Sequence, residues 1–360
     1  MLARYLGLIA LVCGLAAPVL AQAPPKAGQM LTRIAFGSCA NQQVPQPIWD
    51  AVRAYKPDLF LFAGDNVYGD LVDGKLVRDD AVLIDTLTRA YLRGSALTRM
   101  SDLRRQVPHL ATWDDHDFGK NDAGADFVHR DAAQKLFVEF WKLPADDPRR
   151  SRAGVYHAHV SGPAGKRVQI ILLDTRYFRS PLKTSLLTLA RGQGPYEPDD
   201  TPDKTMLGPA QWTWLEEQLK VPADLRLIVS SIQLTVDGHN FERWGNLPRE
   251  RQRFYDLIRS TGAGNVLLLS GDRHFGALFR QTEGVPYPLY EITSSGLTQT
   301  YPGVSETNPN RLGPPYGAVN FGTIDIDWWA ASVTLSLRGM NGEPVRRQTI
   351  ALSEIAARKP

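Results

Sequence analysis

The apolar run Leu59–Ala63 stands directly before Gly64 and shows no alternation with polar residues. A short continuous run of this kind predicts a strand that is buried on both faces, as in a layered α/β protein. Within four residues of Gly64 the chain then carries a carboxylate, an amide and a phenol, on Asp65, Asn66 and Tyr68. An Asx-type turn would explain part of this pattern. The same arrangement recurs at the ends of other predicted strands, which favours a functional site.

Strands and helices alternate along the rest of the chain. The hydrophobic pattern predicts strands over 32–38, 109–113, 155–160, 167–173, 225–231 and 266–270. It predicts helices over 47–55, 79–93, 131–143, 209–219 and 249–260, followed by a strand-rich tail over 289–350. This order predicts an α/β fold of two packed mixed sheets flanked by helices. No linker interrupts residues 32–352, so we expect one catalytic domain there.

The N-terminus carries a targeting pattern. Arg4 precedes an apolar run over 5–17, and small residues end at Ala21. This pattern predicts a secretory signal peptide over 1–21 and a periplasmic or secreted protein, with 22–31 as a linker. An uncleaved membrane anchor is the alternative, although the run is short for a span. The n-region has no Arg-Arg pair, so a twin-arginine export route is not indicated.

Composition limits the partners. The 360 residues are 43% hydrophobic, enough for a large core, and the net charge of +3 gives no electrostatic case for nucleic acid. We therefore expect no nucleic-acid partner, and we expect a monomer. Removal of the signal peptide would leave Cys39 as the one cysteine, with no partner for an internal disulfide. Cys39 is then either a buried core residue or a functional one.

Metal-binding side chains follow four of the predicted strands: Cys39, then Asp65 with Tyr68, then the acidic run 114–117, and then Asp272 with His274. Ligands bind at the carboxyl ends of strands in α/β proteins, so four such strands of one sheet would bring these groups to one point. Several carboxylates this close would repel one another unless cations neutralise them. The pattern therefore predicts bound metal.

The donor types indicate more than one ion. Thiolate, phenolate, carboxylate and imidazole together suit a transition metal such as iron or zinc, and a tyrosine ligand favours Fe³⁺. Oxygen donors alone suit Ca²⁺ or Mg²⁺. Asp65 lies between the two kinds of donor in the sequence, which makes it the natural bridging ligand.

Four sequence blocks occur together in this order: Phe36-Gly37-Ser38-Cys39, Gly64-Asp65-Asn66-Val67-Tyr68, Trp113-Asp114-Asp115-His116-Asp117 and Ser270-Gly271-Asp272-Arg273-His274. The combination resembles the PhoD-type alkaline phosphatases of the calcineurin-like metallophosphoesterase superfamily. The resemblance covers about residues 32–300. It implies a four-layer αββα sandwich with an iron–calcium site.

The resemblance also implies roles for particular residues. Fe³⁺ would be bound by Cys39, Tyr68 and His274, with Asp65 as the bridging ligand. Ca²⁺ would face Asp272 and the amide of Asn121, with Asp115 as a further candidate ligand and His116 as a candidate general acid. The block after His116 reads Asp117-Phe118-Gly119-Lys120-Asn121-Asp122, whereas relatives often carry two asparagines. At Asn121 this chain therefore departs from the pattern of the relatives.

The implied activity is hydrolysis of a phosphomonoester or phosphodiester by metal-activated water. Arg273 and Arg176 are candidates for phosphate contacts, with structural ion pairs as the alternative. The substrate is expected to be a small phosphoester or, alternatively, a phospholipid head group, with access set by the loops 179–208 and 236–248. Two other classes remain: an acyl-transfer hydrolase with a cysteine nucleophile, and a non-catalytic metal- or phosphate-binding module.

Overall fold

The computed structural model describes residues 21–357, which fold into strands and helices in alternation through most of the chain. The strands are β1 (Arg33–Gly37), β2 (Leu59–Ala63), β3 (Leu71–Val72), β4 (Lys75–Leu76), β5 (His109–Thr112), β6 (His157–Ser161), β7 (Val168–Leu172), β8 (Leu225–Val229), β9 (Val266–Ser270), β10 (Gly276–Gln281), β11 (Leu289–Ser294), β12 (Phe321–Asp327), β13 (Ser332–Arg338) and β14 (Pro344–Ala351). The helices are α1 (Ile48–Tyr55), α2 (Asp80–Ser95), α3 (Thr98–Gln106), α4 (Asp115–Phe118), α5 (Arg130–Phe140), α6 (Leu186–Ala190), α7 (Gly208–Leu219) and α8 (Pro248–Thr261).

Two six-stranded mixed sheets form the centre of the molecule. The first has the strand order β14-β13-β12-β1-β2-β5, and the second has the order β10-β11-β9-β8-β7-β6. Strands β1, β2 and β5 are parallel in the first sheet, and β7, β8, β9 and β11 are parallel in the second. Antiparallel strands complete both sheets. The predicted arrangement of two packed mixed sheets is confirmed.

The continuous apolar run of β2 is explained by burial on both faces. Leu59 and Leu61 belong to the core between the two sheets, together with residues of β7, β8 and β9. Phe60 and Phe62 point to the other face, where both contact Trp49 of α1 at ring distances of 5.5 and 5.8 Å. Successive strand residues face opposite sides, so a strand between two apolar layers shows no alternation in its sequence.

Helices cover the outer face of each sheet. Buried residues of α1, α2, α3 and α5 share a core with the outward face of the first sheet, and those of α7 and α8 pack with the second. Helix α8 has Pro248 in its first turn, and it ends at Gly262, which adopts the left-handed conformation with φ 65°. Both are favoured at these positions. The predicted four-layer αββα architecture is the observed one.

Some details differ from the sequence-based expectations. Helix α3 was not predicted, because its sequence TRMSDLRRQ buries only Met100, Leu103 and Arg104. The segment 22–31 lies against the domain, since the carbonyl oxygen of Ala23 accepts a hydrogen bond from the backbone N–H of His109 at 2.8 Å. The predicted signal peptide over 1–21 lies almost wholly outside the described residues. Within residues 21–357, no helix combines the length and apolar character needed to cross a bilayer.

Candidate metal centre and active site

The four ligand-bearing segments meet where the parallel strands of both sheets end. Cys39 follows β1, Asp65 follows β2, Asp115 follows β5, and Asp272 follows β9. The first three strands belong to one sheet and β9 belongs to the other. The expectation that one sheet carries all four was therefore wrong. A sequence shows where strands end, but the pairing that assigns a strand to a sheet depends on contacts distant in the chain.

The backbone at these strand ends takes a conformation that non-glycine residues rarely adopt. The φ angles are positive at Cys39 (65°), Asp65 (49°), Asp272 (68°) and His274 (58°). Such conformations cost free energy, on the order of 1–3 kcal/mol each, and they concentrate at functional sites. The positive φ ends the extended conformation of the strand, and the polar side chain then lies at the end of the strand.

Gly64 allows a close approach between two of these segments. It has φ +106°, and a Cβ atom placed on it would lie 2.6 Å from the Cβ of Asp114. Only glycine satisfies both the positive φ and the short contact. The glycine before Asp65 therefore brings the ends of β2 and β5 together.

One group of donors contains the thiol. The Sγ of Cys39 lies 3.3 Å from Oδ2 of Asp65 and 3.1 Å from the hydroxyl of Ser295. Ligand atoms of Cys39, Asp65 and His274 all lie within 4.8 Å of one another. The phenolic oxygen of Tyr68 is 3.3 Å from Nε2 of His274, which places it beside this group.

The other groups of donors consist mainly of carboxylates. Ligand atoms of Asp114, Asp115 and Asp272 lie within 4.8 Å of one another, and the same holds for Asp65, Asp115 and His116. Asp65 therefore belongs both to the thiol group and to a carboxylate group. A further cluster joins Asp115 to Asp122 and Glu242.

The charges of this centre require compensation. Burial, and then the neighbouring Cys39 and carboxylates, raise the pKa of Asp65 well above its ordinary value. Burial and the nearby Asp114 do the same to the pKa of Asp272. The Oδ2 atom of Asp114 is buried and has no hydrogen-bond partner in the described part of the chain. These carboxylates fit bound cations, which would supply the missing positive charge.

The nitrogen and sulfur donors fit a metal as well. Burial raises the pKa of the Cys39 thiol to about 12, so this thiol is protonated at neutral pH until a cation displaces the proton. Burial, with the nearby His116 and Arg273, lowers the pKa of His274 to about 4, which leaves a neutral imidazole available as a ligand.

His116 is held by a carboxylate that the sequence did not single out. Its Nδ1 donates a hydrogen bond to Oδ1 of Asp70 at 2.6 Å, and Asp70 is fully buried. The imidazole stacks on the ring of Tyr68 with centroids 4.2 Å apart. Although burial alone would lower it, the nearby Asp115 and Asp70 raise the pKa of His116 to about 10. This pair presents a protonated imidazole with Nε2 free of hydrogen-bond partners among the described residues.

The two candidate arginines have different surroundings. Arg176 has no exposed surface, and its guanidinium lies between Asp114 at 2.5 Å and Glu242 at 2.6 Å. Of the two alternatives left open by the sequence, this geometry favours the structural ion pair. The side chain of Arg273 is 9% exposed, pairs with Glu306 and lies 4.4 Å from the ring centroid of Phe241.

Asn121 lies at the edge of the centre. It is exposed and lines a cavity of about 600 Å³ together with Tyr68, His116 and His274. Its backbone N–H donates to Oδ2 of Asp70 at 2.6 Å. The next residue, Asp122, donates its N–H to Oδ2 of Asp115 at 2.8 Å.

Sequence reasoning did not select Asp70, Asp122 or Glu242. Asp70 ends the stretch that begins at Leu59, and its proximity to Tyr68 was the only available signal. Asp122 and Glu242 lie in loops 120 residues apart, and no spacing rule connects them. Their convergence depends on how the two sheets pack.

Comparison with known proteins places the chain in a family. The model of the family described as PhoD-like phosphatase matches residues 34–318. The chain belongs to the PhoD-like phosphatase family. Among curated relatives of this PhoD-like chain is alkaline phosphatase D of Bacillus subtilis (strain 168), 25% identical over 287 residues. That alignment covers 69% of the present chain and 47% of the relative, so the chain spans about half of the relative's length.

Solved structures agree on the fold of this PhoD-like protein. A structure of PhoD has a TM-score of 0.69 at 18% identity, covering 91% of this chain and 70% of that one. Purple acid phosphatase PPD1 from yellow lupin has a TM-score of 0.55 at 10% identity, covering 91% and 55%. GAP50, described as the anchor in the inner membrane complex of Plasmodium, has a TM-score of 0.54 at 12% identity, covering 92% and 90%. The fold is that of the metallophosphoesterases.

Proposed function

We propose that this protein is an exported, metal-dependent phosphoester hydrolase. One observation carries the proposal: a thiol group and a carboxylate group share Asp65, and a carboxylate-held imidazole, His116, lies beside them at a 600 Å³ cavity. Membership in the PhoD-like phosphatase family supports the same activity. The proposed catalytic domain covers residues 32–352 of a monomer.

Fe³⁺ and Ca²⁺ are the proposed cofactors, with zinc or magnesium as alternatives. Cys39, Tyr68 and His274 would hold the iron, since thiolate, phenolate and imidazole suit a transition metal. Asp115, Asp272 and Asn121 would face calcium through oxygen atoms. Asp65 would contact both ions. Bound cations would polarise the phosphoryl oxygens and lower the pKa of a bound water.

His116 would act on the leaving group. With Nδ1 donating to Asp70, its Nε2 can carry a proton to the leaving alkoxide, and the stacked Tyr68 ring fixes the plane of the imidazole. Arg273 is the proposed phosphate contact, because it directly precedes the proposed iron ligand His274 in the chain and a phosphoryl group would compete with Glu306 for its guanidinium. For Arg176 we now propose the structural ion pair.

A cysteine-nucleophile mechanism lacks support in the geometry. Such a nucleophile is accessible and has a lowered pKa. Cys39 has no exposed surface, and burial raises its pKa. The non-catalytic module would retain the metal ligands, but it gives no role to the His116–Asp70 pair.

A substrate panel tests the proposal. The purified protein should contain metal and should hydrolyse p-nitrophenyl phosphate, bis-p-nitrophenyl phosphate, or both, with activity that falls when calcium is chelated. Phosphatidylcholine in the same panel tests the alternative of a phospholipid substrate. A metal-loaded protein without turnover on any of the three would favour the binding module, and a metal-free active protein would contradict the proposal.

A further inference from the structure

A second cavity, of about 420 Å³, lies between helix α5 and the loop that follows it. We call it the α5 cavity. It shares no lining residue with the cavity at the proposed active site. Its volume falls within the range of small-molecule pockets, roughly 300–1,000 Å³. The charged residues that line it are Asp131, Lys135, Glu139, Arg149, Arg150 and Arg152.

Positive charge is in excess in the α5 cavity. Arg150 forms an ion pair with Glu139 at 2.9 Å, and the carboxylate of Asp131 accepts a hydrogen bond from the hydroxyl of Tyr177. Lys135 and Arg152 form no ion pair with any described residue. Two cations of the cavity therefore lack a direct ion pair among residues 21–357, although Asp147 and Asp174 lie near enough to Arg152 to raise its pKa.

Buried guanidinium donors in the α5 cavity are also left without acceptors. The side chain of Arg149 is 2% exposed, and it bonds Asp147 through Nε and Nη2 at 2.9 and 2.7 Å. Within residues 21–357 its Nη1 has no hydrogen-bond partner, and neither do Nε and Nη2 of Arg152. Leaving a buried donor unpaired is unfavourable, and more so when the group is charged. Three unpaired donors on neighbouring arginines fit a ligand that carries several acceptor oxygens.

The two arginines are held in place by their surroundings. The Nε2 of Gln134 donates to the carbonyl oxygens of Arg149 and Arg152 at 2.8 and 2.7 Å, and its Oε1 accepts from the N–H of Gly154 at 2.8 Å. The guanidinium of Arg152 lies 3.7 Å from the ring centroid of Tyr156. The donors are therefore preorganised, which lowers the entropic cost of binding.

The local electric field is consistent with this charge distribution. Burial, followed by the charge of Arg149, lowers the pKa of the nearby His157 to about 3. Burial is the largest cause that lowers the pKa of Arg152, and the charge of Arg149 lowers it further, whereas Tyr156, Asp147 and Asp174 act in the opposite direction. At both His157 and Arg152 the positive charge of Arg149 disfavours a further cation.

We propose that the α5 cavity is a binding site for a compact multivalent oxyanion of the phosphate type, held by Lys135, Arg149 and Arg152. The ligand would be free phosphate or the phosphate group of a small organic molecule, since both present the same oxygens. Its oxygens accept hydrogen bonds from the unpaired guanidinium donors, and its charge balances Lys135 and Arg152. The site is independent of the proposed hydrolysis.

Isothermal titration calorimetry of the full protein with inorganic phosphate, and separately with methylphosphonate, tests this site. Binding of both would show that the site accepts an organic phosphate, and binding of phosphate alone would restrict the ligand to the free ion. Asp65→Asn, which is placed in the metal centre, should retain this binding event. Lys135→Gln and Arg152→Gln should each weaken it about tenfold or more, because each removes a charge-assisted contact.

Arg191→Gln is the matched control, because Arg191 is exposed and forms no ion pair with any described residue. It should bind phosphate as the unmodified protein does. If Arg152→Gln does not fold, Lys135→Gln decides the question alone, since Lys135 is exposed on α5. The proposal is overturned if the α5-cavity variants bind with unchanged affinity, if no binding is detected, or if all binding disappears in Asp65→Asn.

Discussion

At the scale of single residues, the proposed chemistry depends on what holds each side chain. Asp70 binds His116 with one carboxylate oxygen and the N–H of Asn121 with the other, both at 2.6 Å. Tyr68 lies between the imidazoles, stacked on His116 and 3.3 Å from Nε2 of His274. The sequence predicted the imidazoles and the phenol, but it could not show that Asp70 turns back to orient one of them.

Asp70→Asn tests this orientation. The variant should keep its metals and lose about 10–100-fold in turnover, the usual cost of removing a supporting carboxylate. Asp115 and Asp70 raise the pKa of His116, so the loss of one of these charges should lower that pKa. A general acid is active when protonated, so the alkaline decline of kcat should move to lower pH. An unchanged pH profile would contradict the role of Asp70.

Tyr68→Phe tests the iron assignment. If Tyr68 and Cys39 bind Fe³⁺, charge transfer from these ligands should colour the concentrated protein, and the substitution should remove or shift the visible band. Far-UV circular dichroism should show that the fold is retained. A colourless and fully active protein that contains only zinc would contradict the iron assignment, although not the phosphoesterase activity.

At the scale of secondary-structure elements, the hydrophobic pattern of the sequence predicted the strands and helices better than it predicted which of them pair. The run of β2 predicts a buried strand because both of its faces are apolar, and that prediction is confirmed. The assignment of β9 to a second sheet could not be predicted, because strand pairing depends on distant residues. Helix α3 was missed for a physical reason as well, since it exposes only polar and charged residues and buries few apolar ones.

The ion pair between the loops of the two sheets has a measurable consequence. Arg176 follows β7 in the second sheet, and Asp114 follows β5 in the first. Arg176→Met should leave Asp114 buried without its counter-charge, whereas Glu242 keeps its ion pair with Arg179 at 2.8 Å. The expected cost is about 3–5 kcal/mol in the free energy of unfolding. Urea denaturation measures this loss, with Arg191→Gln as a control that should stay within about 0.5 kcal/mol. Unchanged stability with a raised KM would instead support a phosphate contact.

At the scale of the whole molecule, residues 21–31 connect the predicted signal peptide to the folded domain in the sequence. The side chain of Gln22 is buried and accepts a hydrogen bond from Arg149 at 3.0 Å. The backbone N–H of Gln22 donates a hydrogen bond to the carbonyl oxygen of Trp141 at 2.7 Å. The residue that follows the predicted cleavage position is therefore packed against the folded domain.

Export processing predicts a defined mass. Cleavage after Ala21 would leave Gln22 as the first residue, so intact-mass measurement of exported protein should show the loss of residues 1–21. Protein kept in the cytoplasm without processing serves as the control and should have the full mass. Exported protein that retains residues 1–21 would support the uncleaved anchor.

The central claim is that Asp65 joins two cations while His116 acts on the leaving group. Parallel measurement of bound metals and turnover for Asp65→Asn and His116→Ala tests both halves of this claim. Asp65→Asn should lose metal as well as activity, because the removed charge holds the ions. His116→Ala should keep its metals and lose about 10²–10⁴-fold in rate on an alkyl phosphate, with a smaller loss on nitrophenyl phosphate, whose leaving group needs no proton. Loss of metal from His116→Ala, or an equal loss on both substrates, would contradict the claim.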